Sequence, residues 1–346
     1  MAKQQASPEA RSAGATIYDV AEHAGVSIAT VSRVLQGATV VAETTRQKVL
    51  TAVEALGYVP LGAARSLAVR HHEAHGLVLP ELSGPYYAEL LMGFEARAAE
   101  LAQSIVLVLT NSRTDLAAAV RQLATRVDAI AVFGSPAISA DVVRVLRAKK
   151  PVVVIAGEPQ DGVETIAAEN LESARELAGH VLGHGRKRVL FVGDPDSAPD
   201  IRNRYAGYVA AHEGRGLHAA EPVRVALSEA DGTAFARRLL KGEFEADALM
   251  CANDELALSI MTTLQDADRD VPGEIAVTGW DDVMTSRYVR PGLTTVRQPV
   301  HELGALAANR LHELVSGEPP REQARMLPTQ LVVRSSCGCL IDPLST

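Results

Sequence analysis

Short apolar runs separated by amphipathic stretches fill the chain beyond residue 75, and they constrain its fold most. They lie at 76–79, 105–109, 129–133, 152–155, 188–192, 248–251 and 275–278. Continuous apolar runs of this length are typical of strands buried on both faces of a parallel sheet. The stretches between them, such as 86–101 and 115–126, have the apolar spacing of helices. The series restarts at residue 188, so we expect two doubly wound parallel sheets in two lobes.

Residues 16–60 follow a different pattern, that of three short helices. Thr16-Ile17-Tyr18-Asp19 has the form of a capping box, and Gly25 provides the permissive backbone of a tight turn. Ser27 can cap a second helix, whose apolar positions follow i, i+3, i+4 spacing. A third helix runs from about residue 42 to Leu56. Helix, glycine turn and capped helix predict a helix-turn-helix; the alternative is a small structural subdomain.

The composition fits a globular protein without a membrane segment. Hydrophobic residues make up 47% of the chain and charged residues 22%, while aromatic residues at 4% leave the core to Ala, Val and Leu. No window has the ~18 uncharged apolar residues of a membrane helix. Residues 1–15 lack the apolar segment of a secretory signal. We therefore expect a disordered leader and a cytoplasmic protein.

The distribution of charge points to the N-terminal segment as the place for a phosphate-binding surface. Residues 1–70 contain seven Lys or Arg and five Asp or Glu, whereas the whole chain has a formal net charge of −8. The acidic remainder would be repelled by nucleic acid.

The cysteines and the clustered histidines predict neither a metal site nor a cofactor. Cys251 stands in an apolar run and is expected to be a buried, inert thiol. Cys337 and Cys339 form a C-x-C with no His/Cys cluster in the adjoining sequence. A further cluster, His71, His72 and His75, is expected to belong to a solvated linker.

The chain lacks the short motifs of common enzymes. It has no G-x-x-x-x-G-K-[ST] phosphate loop, no G-x-S-x-G elbow and no H-E-x-x-H. His184 lies in a basic stretch that we interpret as a helix-ending turn. Catalysis is therefore not expected. A solute-binding protein would share a two-lobed core, but it would need a signal peptide and would have no use for residues 16–67.

Residues 18–35, YDVAEHAGVSIATVSRVL, resemble the DNA-reading head of the lactose/galactose-repressor (LacI/GalR) family of transcriptional regulators. The resemblance continues in order to about residue 336. Further matches are Leu56–Pro60 and Ala64–Leu67 in the hinge, and Ala252–Asp254, Gly279–Asp282, Pro291–Val296 and Leu327–Thr329 in the core. The family resemblance implies a periplasmic-binding-protein-like core behind an all-α helix-turn-helix domain.

The resemblance also divides the chain. It gives a leader at 1–15, a DNA-binding domain at 16–60, a hinge helix and linker at 61–74, and an effector-binding core at 75–341. Within the core the N-lobe comprises about 75–167 and 298–327, and the C-lobe about 168–297 and 328–341. A homodimer on a palindromic operator is implied, and the absence of a C-terminal heptad run argues against a tetramer.

The implied DNA contacts fall into three groups. Ile28, Ala29 and Arg33 stand where the family reads base edges, with a phosphate contact as the alternative for Arg33. Phosphate contacts are implied for Tyr18, Ser27, Thr30 and Ser32. In a hinge helix at 62–68, Leu67 would wedge into the minor groove beside Ala64; alternatively the segment is a linker with Leu67 docked on the core.

The implied effector contacts are Tyr86, Tyr87, Arg202, Arg204, Asn253, Trp280 and Asp281. Their chemistry suits a sugar, sugar phosphate or glycoside, with a nucleoside or purine as second choice. Arg204 has a structural ion pair as its alternative, and Tyr87 a place in the core. Ala156 and Leu227 depart from sugar-responsive relatives, which have an acid and an aromatic residue there. The resemblance implies that the chain regulates transcription, as a repressor, under allosteric control by this small molecule.

Overall fold

The structure is a computed structural model that describes residues 15–35, 40–58, 71–111, 113–134, 138–321 and 323–340. The described residues fall into two compact units, the first up to His72 and the second from Glu73 onwards. Nearly all of the predicted leader and most of the predicted hinge, including Ala64 and Leu67, lie outside the described residues. Within the described ranges no helix is long and apolar enough to cross a membrane.

Three helices form the described part of the first unit: α1 (Ile17–Ala24), α2 (Ile28–Leu35) and α3 (Glu43–Ala55). The predicted capping box is present, since the Asp19 carboxylate accepts from the Thr16 N–H at 2.7 Å and the Thr16 hydroxyl accepts from the Asp19 N–H. Gly25 has a φ of 62° in the turn. The Ser27 hydroxyl accepts from the Thr30 N–H at 3.2 Å at the start of α2. The helix-turn-helix is therefore built from the local signals that predict it.

Small aliphatic side chains hold these helices together. Val20, Val31, Val34 and Val49 are buried in one cluster to which all three helices contribute. Beyond α3 the Tyr58 N–H donates to the Val53 carbonyl, which brings the Tyr58 ring into the same core. Because one side of α2 is buried in this way, its opposite side faces solvent.

The N-lobe of the second unit has a six-stranded parallel sheet in the order β2-β1-β3-β4-β5-β10. The strands are β1 (Ala74–Leu79), β2 (Ser104–Leu109), β3 (Ala129–Phe133), β4 (Val152–Ile155), β5 (Glu164–Ala168) and β10 (Arg325–Leu327). The helices are α4 (Pro85–Glu100), α5 (Leu116–Ala124), α6 (Ala140–Arg147) and α11 (Val300–Val315). One face packs on α4 and α11 through residues such as Leu77, and the other on α5 and α6 through residues such as Val78.

The C-lobe has a three-stranded parallel sheet and a smaller antiparallel one. The strands are β6 (Val189–Val192), β7 (Ala248–Cys251) and β8 (Ala276–Thr278) in that order, with β9 (Thr295–Arg297) paired to β11 (Gln330–Val332). The helices are α7 (Leu171–Gly183), α8 (Pro199–Glu213), α9 (Glu229–Leu240) and α10 (Asp254–Asp266), with a 3₁₀ helix at Met284–Arg287. The helices α7 and α8 cover one face, and α9 and α10 the other.

Two parallel sheets in two lobes are thus confirmed, but three details of the prediction need correction. The short strands β5, β9, β10 and β11 were not foreseen, because polar residues interrupt their apolar pattern. The β9–β11 pair is antiparallel. The prediction that His75 lies in a solvated linker is wrong: it pairs with Ile105 and Ala129 inside the sheet and is 1% exposed. Burial lowers the pKa of His75 to about 4, so the ring is neutral.

Three crossings join the lobes, between β5 and α7, between β9 and α11, and between β10 and β11. Two of them run side by side, because the Glu169 N–H donates to the Leu327 carbonyl and the Thr329 hydroxyl donates to the Glu169 carbonyl at 3.1 Å. Short connections between two lobes are where hinge motions occur in proteins of this architecture.

Candidate nucleic-acid interface and ligand cleft

One face of α2 is exposed and carries the residues predicted to read bases. Ile28, Ala29 and Arg33 are exposed, and Ile28 keeps 40% of its surface. At 100° per residue these positions, with Ser32 among them, span one side of the helix, while Val31 and Val34 occupy the opposite side. The helix contains no acidic residue. This face is therefore apolar and basic, which suits the edges of base pairs in a major groove.

The residues predicted to contact phosphate surround this face. Tyr18 is 69% exposed on α1, and Ser27 lies exposed at the start of α2. Thr30 and Ser32 are half-buried, and the Thr30 hydroxyl lies 2.9 Å from the Ser27 hydroxyl. A hydroxyl both donates and accepts, so a hydroxyl that bonds to the protein can still donate to a phosphate oxygen. Their roles remain predictions, as do those of Ala64 and Leu67 outside the described residues.

A cleft lies between the two lobes at the carboxyl ends of their strands. Its N-lobe side consists of Glu81, Ser83, Pro85, Tyr86, Tyr87, Phe133 and Ala156. Its C-lobe side consists of Ala198, Asp200, Ile201, Arg204, Leu227, Asn253, Glu255, Asp281 and Val283. The cavity has a volume of about 140 Å³. Ligands of doubly wound sheets bind at this edge, where the strand order reverses. Five of the seven predicted effector residues line it.

Three aromatic rings form one wall of the cleft. Tyr86 and Tyr87 at the start of α4 meet Phe133, the last residue of β3, at centroid distances of 6.0 and 5.3 Å. The rings are edge to face, a favourable arrangement for their quadrupoles. Phe133 is not among the predicted site residues, because its place at the end of an apolar run predicts a core residue.

Hydrogen bonds and a ring contact fix the guanidinium of Arg204 in place. Its Nε donates to Asn170 Oδ1 at 2.8 Å, and its Nη1 donates to the Ala252 carbonyl at 2.6 Å. The guanidinium lies over the Trp280 ring at 4.7 Å from the ring centroid. Among the described residues Nη2 has no hydrogen-bond partner, so these contacts leave one donor group for a ligand in the cleft.

Among the carboxyl groups of the described residues, Asp281 has the pKa that its surroundings shift most. It stands at a φ of 116°, and Gln298 Nε2 donates to its Oδ1 at 2.6 Å. Burial raises the pKa of Asp281 to about 8, against the opposing effect of Arg204. A carboxyl group with this pKa is largely protonated near neutral pH and can both donate to and accept from a ligand.

Further acids share the cleft, and the sequence did not reveal them. Burial raises the pKa of Asp200 to about 6, and that of Glu255 is raised by burial and by Glu81. Together with Glu81 they leave the cleft with more carboxylates than the single guanidinium of Arg204 can balance. The only available signal for Asp200 is its place at the start of α8, two residues after Ala198.

Two predicted effector residues lie outside the cavity, which corrects their placement. Arg202 is two residues from Asp200 on α8 and so points about 200° away from it; it pairs instead with Glu158 at 2.5 Å. Trp280 has no exposed surface and is buried beneath Arg204.

Asn253 lines the cavity, but its side chain also forms hydrogen bonds within the protein. Its Oδ1 accepts from the Leu256 N–H at 3.0 Å, which caps α10, and its Nδ2 donates to the Leu227 carbonyl at 3.4 Å. One N–H of this amide is left for a ligand.

The structure also overturns one interpretation of the cysteines. Cys337 and Cys339 are not without histidine partners, because His180 and His184 lie beside them. The partners come from α7 and the turn after it, more than 150 residues earlier in the chain. That separation is why a search of the adjoining sequence does not find them.

Two family models match the chain. Residues 16–60 match "Bacterial regulatory proteins, lacI family", and residues 178–337 match "Periplasmic binding protein-like domain". The HTH-type transcriptional regulator GalR of Escherichia coli (strain K12) is 32% identical over 329 residues, which cover 93% of this chain and 95% of GalR.

Solved structures of two other regulators cover 93% of this chain and 99% of their own. The lac repressor dimer bound to operator and the anti-inducer ONPF is 26% identical, with a TM-score of 0.83. The complex of the transcriptional regulator CelR with cellobiose is 27% identical, with a TM-score of 0.70.

Proposed function

Because the chain belongs to the lacI family of bacterial regulatory proteins, we propose that it represses transcription as a homodimer. We propose further that a small molecule in the cleft controls its affinity for a palindromic operator. As a member of this family it is a transcriptional regulator and not an enzyme. One observation carries the proposal: the exposed face of α2, free of acidic residues, on a capped helix-turn-helix.

We assign base reading to three residues of that face. Ile28 and Ala29 can pack on thymine methyl groups, and Arg33 can donate two hydrogen bonds to guanine. Tyr18, Ser27, Thr30 and Ser32 fix the register through phosphates. Ala64 and Leu67 complete the interface in the minor groove at the operator centre. In this assignment residues 16–60 bind DNA, 61–74 form the hinge and 75–341 form the effector core of a cytoplasmic protein.

A second copy of the chain is the partner that the proposal requires. Met92 on α4 and Met284 and Tyr288 of the C-lobe keep 60%, 67% and 68% of their surfaces exposed. Met92 is one helical turn beyond Glu89, and Glu89 and Met284 line the same groove. Exposed apolar side chains on adjoining parts of both lobes favour an interface there. A two-fold axis would then present two heads to two half-sites.

For the effector we propose a neutral sugar or glycoside. Carboxyl groups and the free Nη2 of Arg204 can bind vicinal hydroxyls, while Tyr86, Tyr87 and Phe133 can cover an apolar ring face. Asp200, Glu255 and Glu81 give the cleft an excess of negative charge that would repel a phosphate, which argues against a sugar phosphate. The cavity of about 140 Å³ favours a small occupant unless the lobes separate. The aromatic wall keeps a nucleoside or purine as the second candidate.

Selection of bound fragments from random duplexes by the full chain tests the DNA-binding proposal. We expect a two-fold palindrome, because two identical heads read it. If Arg33 reads guanine, Arg33→Ala weakens binding by about 1–3 kcal/mol and relaxes one symmetric pair of positions. Uniform weakening without relaxed specificity would assign Arg33 to a phosphate instead. An asymmetric selected site, or none, would contradict the proposal.

A further inference from the structure

Four side chains with metal-binding donor atoms meet on the C-lobe, away from the cleft. They are His180 in the last turn of α7, His184 just after it, and Cys337 and Cys339 near the end of the chain. Their ring nitrogens and sulfurs all lie within 4.8 Å of one another. The family function that the chain performs does not account for this cluster, since neither the DNA-reading face nor the cleft includes it.

The distances between the donor atoms match those around one tetrahedral ion. His180 Nε2 and His184 Nε2 are 3.3 Å apart, and Cys339 Sγ lies 3.5 and 3.3 Å from them. Cys337 Sγ is 3.3 Å from His180 Nε2. With Zn–N at about 2.0–2.1 Å and Zn–S at about 2.3 Å, tetrahedral geometry requires about 3.4 Å between two nitrogens and about 3.6 Å between nitrogen and sulfur.

Hydrogen bonding alone explains the arrangement poorly. His180 Nε2 faces Cys337 Sγ, Cys339 Sγ and His184 Nε2 at once, all at 3.5 Å or less. A ring nitrogen has either one proton or one lone pair in the plane of the ring, so it can satisfy one such contact well and not three. A cation at the centre would instead accept one lone pair from each of the four side chains.

The surrounding structure holds the donors in place. His180 and His184 are four residues apart, which puts them on one face at the end of α7. Just before Cys337, the Ser336 N–H donates to the Gly292 carbonyl and the Ser336 carbonyl accepts from the Val277 N–H, which ties this segment to the C-lobe. Gly338 has a φ of 106°, a conformation that a residue with a side chain rarely adopts, and it turns the chain between the two cysteines.

We propose that His180, His184, Cys337 and Cys339 bind one Zn²⁺ as a closed structural site. Two thiolates and two imidazoles are a ligand set that zinc prefers, and four protein ligands leave no position for a substrate. The ion joins the end of α7 to the C-terminal segment that follows β11. Its binding free energy therefore stabilises the C-lobe by fixing residues that are distant in sequence.

The metal content of the purified full chain is the first test. We expect one zinc per chain by mass spectrometric metal analysis, and its loss in Cys339→Ser and in His184→Gln. These two side chains are half-buried and exposed, so the fold tolerates their replacement. The control is His218→Gln, which changes an exposed histidine away from the cluster and should leave the zinc in place. A zinc-free wild-type chain, or zinc retained at full occupancy in both ligand variants, would overturn the proposal.

Two further measurements test the site without relying on metal content. The wild-type chain, stripped by a chelator and reloaded with Co²⁺, should show thiolate-to-cobalt charge transfer and the strong visible bands of tetrahedral cobalt. Chelation should lower the melting temperature of wild type and of His218→Gln, but not that of Cys339→Ser. A weak octahedral cobalt spectrum, a bound metal other than zinc, or a Cys337–Cys339 disulfide in place of the ion would contradict a zinc site.

Discussion

The half-buried carboxyl group of Asp281 in the cleft makes the stability of the protein depend on pH. Its backbone is fixed by the bond from the Asp281 N–H to the Val296 carbonyl, and its side chain by Gln298. Because burial raises its pKa from 3.8 to about 8, the folded protein holds this proton over a range in which the unfolded chain releases it. The folded state then binds more protons than the unfolded state between those two values, and the contribution of Asp281 to stability falls as pH rises through them.

Replacing this acid by its neutral isostere should therefore change the pH dependence of stability. Asp281→Asn keeps an oxygen for Gln298 and removes the charge. We expect its melting temperature to exceed that of wild type by a few degrees at about pH 9, since ~1 kcal/mol moves the midpoint of a domain of this size by about 2–4 °C. The difference should shrink or vanish at about pH 5. Asp161→Asn, at an exposed aspartate, is the control and should show no such trend. Equal differences at both pH values would contradict the raised pKa.

At the scale of elements, the crossing of α4 and α11 depends on two glycines. A Cβ on Gly304 would overlap the Leu90 carbonyl oxygen, and one on Gly93 would overlap the His301 carbonyl oxygen. The two helices therefore approach each other at backbone distance and seal one face of the N-lobe sheet through Leu90, Phe94 and Leu303. Since α4 also begins with Tyr86 and Tyr87, this contact fixes one wall of the cleft.

Gly304→Ala should force these helices apart. The new methyl group meets backbone atoms that cannot rotate away, and we expect a loss of about 1–3 kcal/mol in the free energy of unfolding. Gly183→Ala is the matched control, because it lies at the end of a helix with open space around its Cβ. Denaturant unfolding of the two variants measures the difference. Equal stability of Gly304→Ala and the control would show that the helices are not held at this separation.

Over the whole molecule, sequence predicts those parts that local patterns encode. The Thr16 capping box, the Gly25 turn and the apolar runs from residue 76 to residue 278 act over a few residues, and the elements form where they predict. The features missed depend on tertiary contacts. Phe133 and Asp200 meet in the cleft only because two lobes face each other, and His180 meets Cys337 only because the end of the chain folds back on α7.

Tertiary structure also removes a residue that the sequence places in the site, since Arg202 lies outside the cavity. The family resemblance implies a ligand contact for Arg202, but the helical rotation between Asp200 and Arg202 turns its side chain out to Glu158. Trp280 likewise lies under Arg204 and not in the cavity. Its indole still serves as a probe, because it is the single tryptophan of the chain and lies against a residue that we expect to bind the effector.

In the regulation that we propose, the cleft is coupled to the DNA-binding head. A ligand that favours one relation of the two lobes shifts operator affinity by its difference in affinity for the two states, and by no more. Couplings of this kind typically reach 1–3 kcal/mol, or about 5–150-fold in affinity. The acid-rich cleft predicts which ligands have this effect: neutral sugars or glycosides, and not their phosphates.

Titration of an operator with the full chain measures this coupling. The dissociation constant is compared without ligand and with each member of a panel of neutral sugars, their phosphates and purine nucleosides. We predict that at least one neutral sugar changes the dissociation constant by about 5-fold or more, that its phosphate does not, and that Asp281→Asn binds the operator normally but responds less. An operator affinity that no sugar alters, or that a sugar alters equally in wild type and Asp281→Asn, would show that the cleft does not control DNA binding in this way.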